Sequence, residues 1–385
     1  MPAQLLAYNR TSFVVLVIYI LLGREFHLKF DFFKESAPPL VGVDISATSV
    51  KMVKLAGDRR SGFQLEAYAS SPLPKDAIVD GNIHDLEKVG DAVRLTWKLL
   101  GVKEKRAALA LPASAVISKK VMMQTDMTED EMTAQVESEA NQYIPFSLDE
   151  VNLDFQVVNP PAKGASESEV LIVAARKEKI EDRVAAAETA NLKVNVMDVE
   201  SYATEAAYSL VADQLQKSGR DQTAMIVDIG ASITHINVVY NGQSIYSREQ
   251  NFGGNQLTQE IQRRFGLSPE EAEIAKKKGG LPDSYELEVL QPFMQLIGNE
   301  VARALQFFNT ATHDNQKIEH IILAGGCASI SGIESTVEKI TGIHTIIANP
   351  FGKMKLASKL KPQQVAKDAP ALLIACGLAM RGVEA

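Results

Sequence analysis

Cysteine is scarce: the 385-residue chain holds Cys327 and Cys376 and no other. Two thiols exclude a disulfide framework and a cysteine metal cluster, and they fit a reducing compartment. The six histidines are scattered, with no HExxH motif and no paired spacing, so a zinc hydrolase is excluded for want of ligands. Positive charge is not in excess, with Lys+Arg 40 against Asp+Glu 48 and a net charge of −8. No cationic arm stands out, and nucleic acid is not an expected partner. Hydrophobic residues make up 46 % and charged residues 23 %. That balance removes disordered and collagen-like classes, and the length suits two to three domains.

Long apolar runs are few as well. Phe13 to Leu22 (FVVLVIYILL) is a run of ten apolar residues between Arg10 and Arg24, about half of what a membrane-spanning helix needs. It has the length of a signal-peptide core, but GREFHLKF after it holds no small-residue cleavage site. Three readings stand: a membrane-surface segment, a buried strand, or translated sequence upstream of the true start. The third is preferred, because the chain from Leu28 (LKFDFFKESAPPLVGVDI) reads like a natural opening.

What is present is an internal duplication. Residues 41–53 read VGVDISATSVKMV and residues 225–239 read MIVDIGASITHINVV. Aligned on Asp44 and Asp228, each is an apolar strand, then D-I-[SG]-A-[ST], then a second β-rich strand, the pattern of a β-hairpin. The copies lie 184 residues apart, too far for a solenoid repeat and right for two related halves. Two unrelated hairpins with small-residue turns are the simpler alternative; the acidic residue shared at one position argues against it.

The chemistry of such a turn is specific. Small residues let consecutive backbone N–H groups approach an anion, forming a nest for phosphate oxygens. An Asp closing the first strand would repel phosphate unless a divalent cation intervened, and Mg²⁺ takes only one or two protein carboxylates. Two opposed hairpins therefore predict a nucleotide tail gripped between two domains. A third element, KIEHIILAGGCASISGIESTVEKITG (317–342), is a strand, a Gly-Gly turn and a helix expected to begin near Ser331, with Glu334 at capping-box spacing. A fourth, SPEEAEIAKKKGG, is a helix with Ser268 as N-cap, Pro269 at its first position and Glu271 completing a box; Glu273 and Lys276 share one of its faces.

Between the hairpins, Thr128 and Glu131 form another capping box, opening a helix expected to end near Pro145. VNLDFQVV alternates as a strand, PPAKGASESE is a hairpin-tip loop, VLIVAA is a buried strand, and RKEKIEDRVAAAETAN is a helix. Preceded by a strand, the set is a compact β-α-β-β-α module. A long helix is expected from about Leu287 to Thr312, interrupted at Pro292, with Phe293, Phe307 and Phe308 in the core. Trp97 also reads as core. Asp368 is placed as the cap of ALLIACGLAMRG, which is apolar on most faces and therefore buried.

The order of these motifs resembles the actin-like ATPase superfamily from about Leu40 to Gly382. Within it the chain is similar to the PilM family of type IV pilus assembly in VGVDISATSVKMVKL, ANQYIPFSLDEVNLDFQVV, VLIVAARKEKIE and FGGNQLTQEIQRRFGLSPEEAE. The resemblance implies an α/β actin-like fold of two duplicated RNase H-like domains around a nucleotide cleft, with an additional FtsA-like subdomain. Residues 1–39 are then an extension, 40–115 the first domain, 116–191 the inserted subdomain, 192–221 the rest of the first domain, and 222–385 the second domain, with a helical part at about 255–317.

The same resemblance implies ATP with Mg²⁺ as cofactors. The first phosphate motif falls on Asp44, Ser46, Ala47, Thr48, Ser49 and Lys51, with Ser46 standing where glycine is usual. The second falls on Asp228, Gly230, Ala231, Ser232 and Thr234. Gly325, Gly326 and Ala328 match the adenosine motif, and Glu273 with Lys276 matches a pair that holds adenine in DnaK-type chaperones. Asp44 and Asp228 are the implied metal carboxylates, acting through water, and Glu200 in VMDVESYATEAA is the implied orienter of the attacking water. Implied too are slow turnover, a cytoplasmic place at the inner membrane through partner proteins, docking of the cytoplasmic N-terminal segment of PilN near the additional subdomain, and self-association. Two other functions share the fold: an FtsA-like division filament, which lipid sedimentation with ATP separates, and a sugar or small-molecule kinase, for which the single Trp97 offers little stacking surface.

Overall fold

The structure is a computed structural model that describes residues 40–58, 61–125, 127–159, 166–312 and 316–382. The N-terminal extension and its three readings lie outside the described residues. The first sheet is built from a meander, β1 (Val41–Ser46), β2 (Ser49–Asp58) and β3 (Gly62–Pro72), followed by a short hairpin, β4 (Ile78–Val79) and β5 (Asn82–Ile83), helix α1 (Leu86–Leu100) and strand β6 (Arg106–Leu111). β1 runs antiparallel to β2 and parallel to β6. β1 (VGVDIS) and β6 (RAALAL) are almost wholly buried, as central strands covered on both faces must be, whereas β3 alternates.

The chain then leaves this sheet to form a separate antiparallel one from β7 (Val116–Gln124), β8 (Val151–Asn159) and β9 (Glu167–Arg176), in the order β7-β9-β8, with α2 (Glu129–Ala140) between β7 and β8. β8 and β9 pair as the expected hairpin; residues 160–165 of its tip lie outside the described residues. Helix α3 (Lys177–Glu188) returns to the first domain: its Ile180, Ala186 and Ala187 share a core with Val89, Ala92 and Val93 of α1. β10 (Lys193–Val199) adds in parallel to β6 and leads into α4 (Glu200–Val211).

The second sheet comprises β11 (Thr223–Ile229), β12 (Thr234–Tyr240), β13 (Gln243–Gln250), β14 (His320–Ala324) and β15 (His344–Ile347); between β13 and β14 lie α5 (Gly254–Phe265), α6 (Pro269–Lys278) and α7 (Gln291–Ala311), and α8 (Ile333–Thr341) precedes β15. Its strand order β13-β12-β11-β14-β15 repeats the order β3-β2-β1-β6-β10 of the first sheet. The hairpin duplication is therefore a duplication of whole sheets. β16 (Lys355–Leu356) returns to the edge of β3, and α9 (Pro362–Asp368) and α10 (Leu373–Met380) close the fold. All eight residues of α10 are buried. A Cβ on its Gly377 would stand 1.9 Å from the Ala203 carbonyl oxygen of α4, so the two helices meet backbone to backbone. Beside them the buried Arg381 Nε donates to Asp198 Oδ2 at 2.6 Å.

Several local expectations are corrected. Ser331 does not cap α8, because Gly332 in the left-handed conformation occupies the N-cap and no side chain hydrogen-bonds there. The long helix opens with a π turn, Glu286–Leu290, which accommodates Pro292 near the start of α7. Its buried stripe runs Phe293, Ile297, Val301, Ala304 and Phe308, and Phe307 falls off that stripe, 37 % exposed, with the Arg248 guanidinium 3.8 Å from its ring centroid. Trp97 is partly buried, with the Lys105 ammonium 4.4 Å from the centroid of its ring. Asp368 caps nothing: α9 continues into a 3₁₀ turn, and its carboxylate accepts from the Tyr68 hydroxyl at 2.9 Å. Helix α2 ends at Ala140, ahead of Pro145, with the Thr128–Glu131 box formed; the Ser268–Glu271 box is formed as well.

Candidate functional site

The first hairpin turns through two residues, Ala47 and Thr48, because Ser46 and Ser49 are its last paired residues. Ser46 is not among the residues with positive φ, so serine takes the place of glycine there without strain. Its hydroxyl donates to Ser49 O at 3.0 Å, and Lys51 Nζ donates to Ser46 Oγ at 3.3 Å. Asp44, 3 % exposed, holds Lys51 Nζ at 2.8 Å across the hairpin. Burial opposes the Lys51 charge, but Asp44, Asp228 and Glu200 outweigh it and raise its pKa. Lys51 is therefore paired with Asp44 and lies in the field of the other two implied catalytic carboxylates.

The second hairpin is held from beneath. Gly230 N–H closes the turn on Ile233 O at 3.0 Å, while Gly254 N–H donates to Gly230 O at 3.0 Å and Asn255 N–H to Ala231 O at 2.8 Å. Asn255 Nδ2 also donates to Ser232 Oγ at 2.8 Å. The start of α5 is thus stitched to the phosphate turn, and a Cβ on Gly253 would stand 2.5 Å from Ala231 O. Gly253 and Gly254 went unassigned as site residues; a Gly-Gly pair between a strand and a helix was their only local signal. Thr234 is 2 % exposed, its hydroxyl donating to Phe252 O at 2.9 Å.

The adenosine-motif turn meets the same place. Gly325 has φ +83, and a Cβ there would stand 2.5 Å from Asp228 Oδ1, so only glycine lets this turn approach the carboxylate. Cys327 Sγ lies 3.8 Å from Gly230 O. Ala328, 3 % exposed, packs with the core of the second domain. Lys276 Nζ reaches Glu273 Oε2 at 2.5 Å, Thr258 Oγ1 at 2.7 Å and Gly254 O at 3.3 Å. Burial would raise the Glu273 pKa, but hydrogen bonds from Lys276, Lys277 and Thr258 bring it down to about 2. Glu273 and Lys276 therefore stand beside the phosphate turn and the adenosine turn together.

Glu200 is the first residue of α4. Burial pushes its pKa up to about 6, against the opposing pull of His235. His235 is the residue that sequence reading missed. It pairs with Asp228 across β11 and β12 and with Glu249 across β12 and β13. Its Nε2 lies 3.5 Å from Glu200 Oε2 and its Nδ1 3.3 Å from Glu249 Oε1. Burial opposes its protonation, yet these carboxylates raise its pKa to about 9. Asp228 itself is raised, chiefly by burial, with His235 and Lys51 pulling the other way. Among the described residues no three His, Cys, Asp or Glu side chains gather as a metal cage, so a cation here would depend on phosphate oxygens and water for most of its ligands.

Comparison with known proteins decides the family. The model of the family described as type IV pilus assembly protein PilM matches residues 42–383. The chain belongs to the PilM family. Among solved structures, a chain of the PilM–PilN type IV pilus biogenesis complex is similar with a TM-score of 0.75 and 26 % identity, covering 90 % of this chain and 99 % of that one. The ethanolamine utilization protein EutJ from Carboxydothermus hydrogenoformans shares the fold at a TM-score of 0.50 and 16 % identity, over 91 % of this chain and 92 % of its own. The cell division protein FtsA of Escherichia coli K12 is 20 % identical over 364 residues, covering 81 % of this chain and 84 % of FtsA. The fold is actin-like, and the PilM chain is a type IV pilus assembly protein.

Proposed function

We propose that this PilM-family chain is a nucleotide-dependent scaffold: Mg-ATP bound between the two hairpins sets the angle of the two domains, and the cytoplasmic N-terminal segment of PilN reads it. One observation carries the nucleotide part. Two hairpins of one design set an Asp opposite a basic residue, Asp44 against Lys51 and Asp228 against His235, and Glu200 at the start of α4 lies 3.5 Å from that His235. In this reading the turn of residues 46–49 and the turn of residues 230–232 hold phosphate oxygens, and Lys51 counters their charge. Gly325, Gly326, Glu273 and Lys276 receive the nucleoside. Asp44 and Asp228 are the carboxylates that would hold Mg²⁺ through water, and the bound ion would supply positive charge at the phosphates. Glu200, with a pKa near 6, suits a group that orients a water and takes its proton.

The partner part rests on the family and on a groove. The solved relative is a PilM–PilN complex. Beside the inserted sheet a groove of about 230 Å³ is lined by Asn82, Ser114, Phe146, Arg176 and Lys179 among others, with the Arg176 guanidinium 5.3 Å from the Phe146 ring centroid. Asp80 lines it too, and Arg176 and Lys179 both pair with Glu178; a short peptide fits such a half-apolar channel of mixed charge. Among the described residues no helix is long and apolar enough to cross a membrane; attachment to the inner membrane is assigned to the partner. Calorimetric titration with ATP and ADP, with and without Mg²⁺, tests the cleft: the reading expects saturable Mg-dependent binding with slow hydrolysis, and absence of binding would refute it.

A further inference from the structure

We infer that Glu249 ties the nucleotide cleft to the inserted subdomain, sharing one carboxylate oxygen between His235 and the backbone N–H of Ser114. Glu249 Oε1 lies 3.3 Å from His235 Nδ1 and accepts from Ser114 N–H, also at 3.3 Å. Ser114 is the middle residue of the 3₁₀ turn Ala113–Ala115, the point where the chain leaves β6 for β7. The same Ser114 and its neighbour Ala115 line the groove beside the inserted sheet. Asp228, His235 and Glu249 form a row of cross-strand neighbours on β11, β12 and β13. In the first sheet the matching row is Asp44, Lys51 and Ser70, so the second copy has a charged end where the first does not.

The inference rests on the reading that nucleotide occupies the cleft. A ligand that repositions Glu200 repositions His235, which pairs with Glu200 at 3.5 Å. Because one Glu249 oxygen serves both His235 and Ser114, a shift of the ring changes the hydrogen bond at the turn. That is a contiguous physical connection, in which each contact is a hydrogen bond or ion pair that a displacement strengthens or weakens. Glu249 is a positioning residue, since it acts on the cleft through His235.

Amide hydrogen exchange of the peptide spanning residues 112–118 is the test, read in the full-length chain without nucleotide and with saturating Mg-ATP or Mg-ADP. In the wild type, exchange at Ser114 is expected to change at least threefold on nucleotide binding. Glu249→Ala should raise basal exchange there and abolish the nucleotide-linked change. Glu249→Gln, which keeps an acceptor, should restore basal protection, and it serves as the probe if the alanine variant does not fold. Nucleotide affinity is measured on the same samples. A wild type that binds nucleotide with no change over 112–118, or a Glu249→Ala variant that keeps the change, overturns the inference alone. A wild type that binds no nucleotide overturns the functional reading along with it.

Discussion

Asp228 faces His235 across the second hairpin in the register in which Asp44 faces Lys51 across the first. Each acid stands opposite a basic residue seven positions on, and in the first hairpin the pair closes to 2.8 Å. The duplication therefore extends beyond turn shape to the electrostatics of the cleft. What differs is the cation: a lysine is charged throughout the physiological range, whereas a histidine owes its charge to its neighbours.

Lys51 is expected to matter for folding as well as for binding. Asp44 is buried, and removing its partner leaves a carboxylate without compensation, at a cost of about 3 kcal/mol or more. Urea denaturation of Lys51→Met should show that loss, and adding Asp44→Asn to the variant should recover part of it. Equal stability of Lys51→Met and wild type would contradict the pairing.

Asp228→Ala should do the reverse. The pKa of its carboxylate is raised chiefly by burial, so the charge adds little to the fold, which should persist while Mg-nucleotide affinity falls at least tenfold, about 1.4 kcal/mol. Calorimetry together with a thermal melt separates the two effects. Unchanged affinity counts against the site.

The histidine gives a pH signature. The pKa of His235 is raised to about 9 in the folded chain from the ordinary 6.5, so the folded state binds the proton more tightly than the unfolded one. Its stabilisation is complete below pH 6.5 and fades as pH rises through 9, on the order of 3 kcal/mol in all. Denaturation midpoints measured from pH 6 to 10 should fall across that window, and His235→Gln should flatten the fall. A wild-type profile with no slope there is the contrary result.

Gly253 offers a steric test of the second phosphate turn. A methyl group at this position would stand 2.5 Å from Ala231 O and 2.6 Å from Gly230 O. Gly253→Ala should push the turn from α5 and weaken nucleotide binding tenfold or more, and a fluorescent ATP analogue measures it. Full affinity would show that the turn does not need this support.

Much of this was legible in the sequence because its signals are local. The hairpins announce themselves in β alternation around D-I-[SG]-A, and the capping boxes at Thr128 and Ser268 join residues only three apart. Ser331 failed as a cap because Gly332 claims that position. Phe307 failed as core because the helix buries one stripe and Phe307 lies outside it. The row from Asp228 through His235 to Glu249 left almost no local trace. It is assembled by strand register across three strands, and a histidine seven residues after an Asp carries little meaning until its counterpart at Lys51 is set beside it. Gly253 and Gly254 were likewise visible as residues, but their hydrogen bonds to the phosphate turn are tertiary.

The most direct test of the account is a titration of the full-length chain with a labelled peptide copying the cytoplasmic N-terminal tail of its cognate PilN, with and without Mg-ATP. The account predicts saturable binding whose affinity changes at least fivefold with nucleotide. No binding in either state would contradict docking, and equal binding in both would contradict a scaffold that reports nucleotide state.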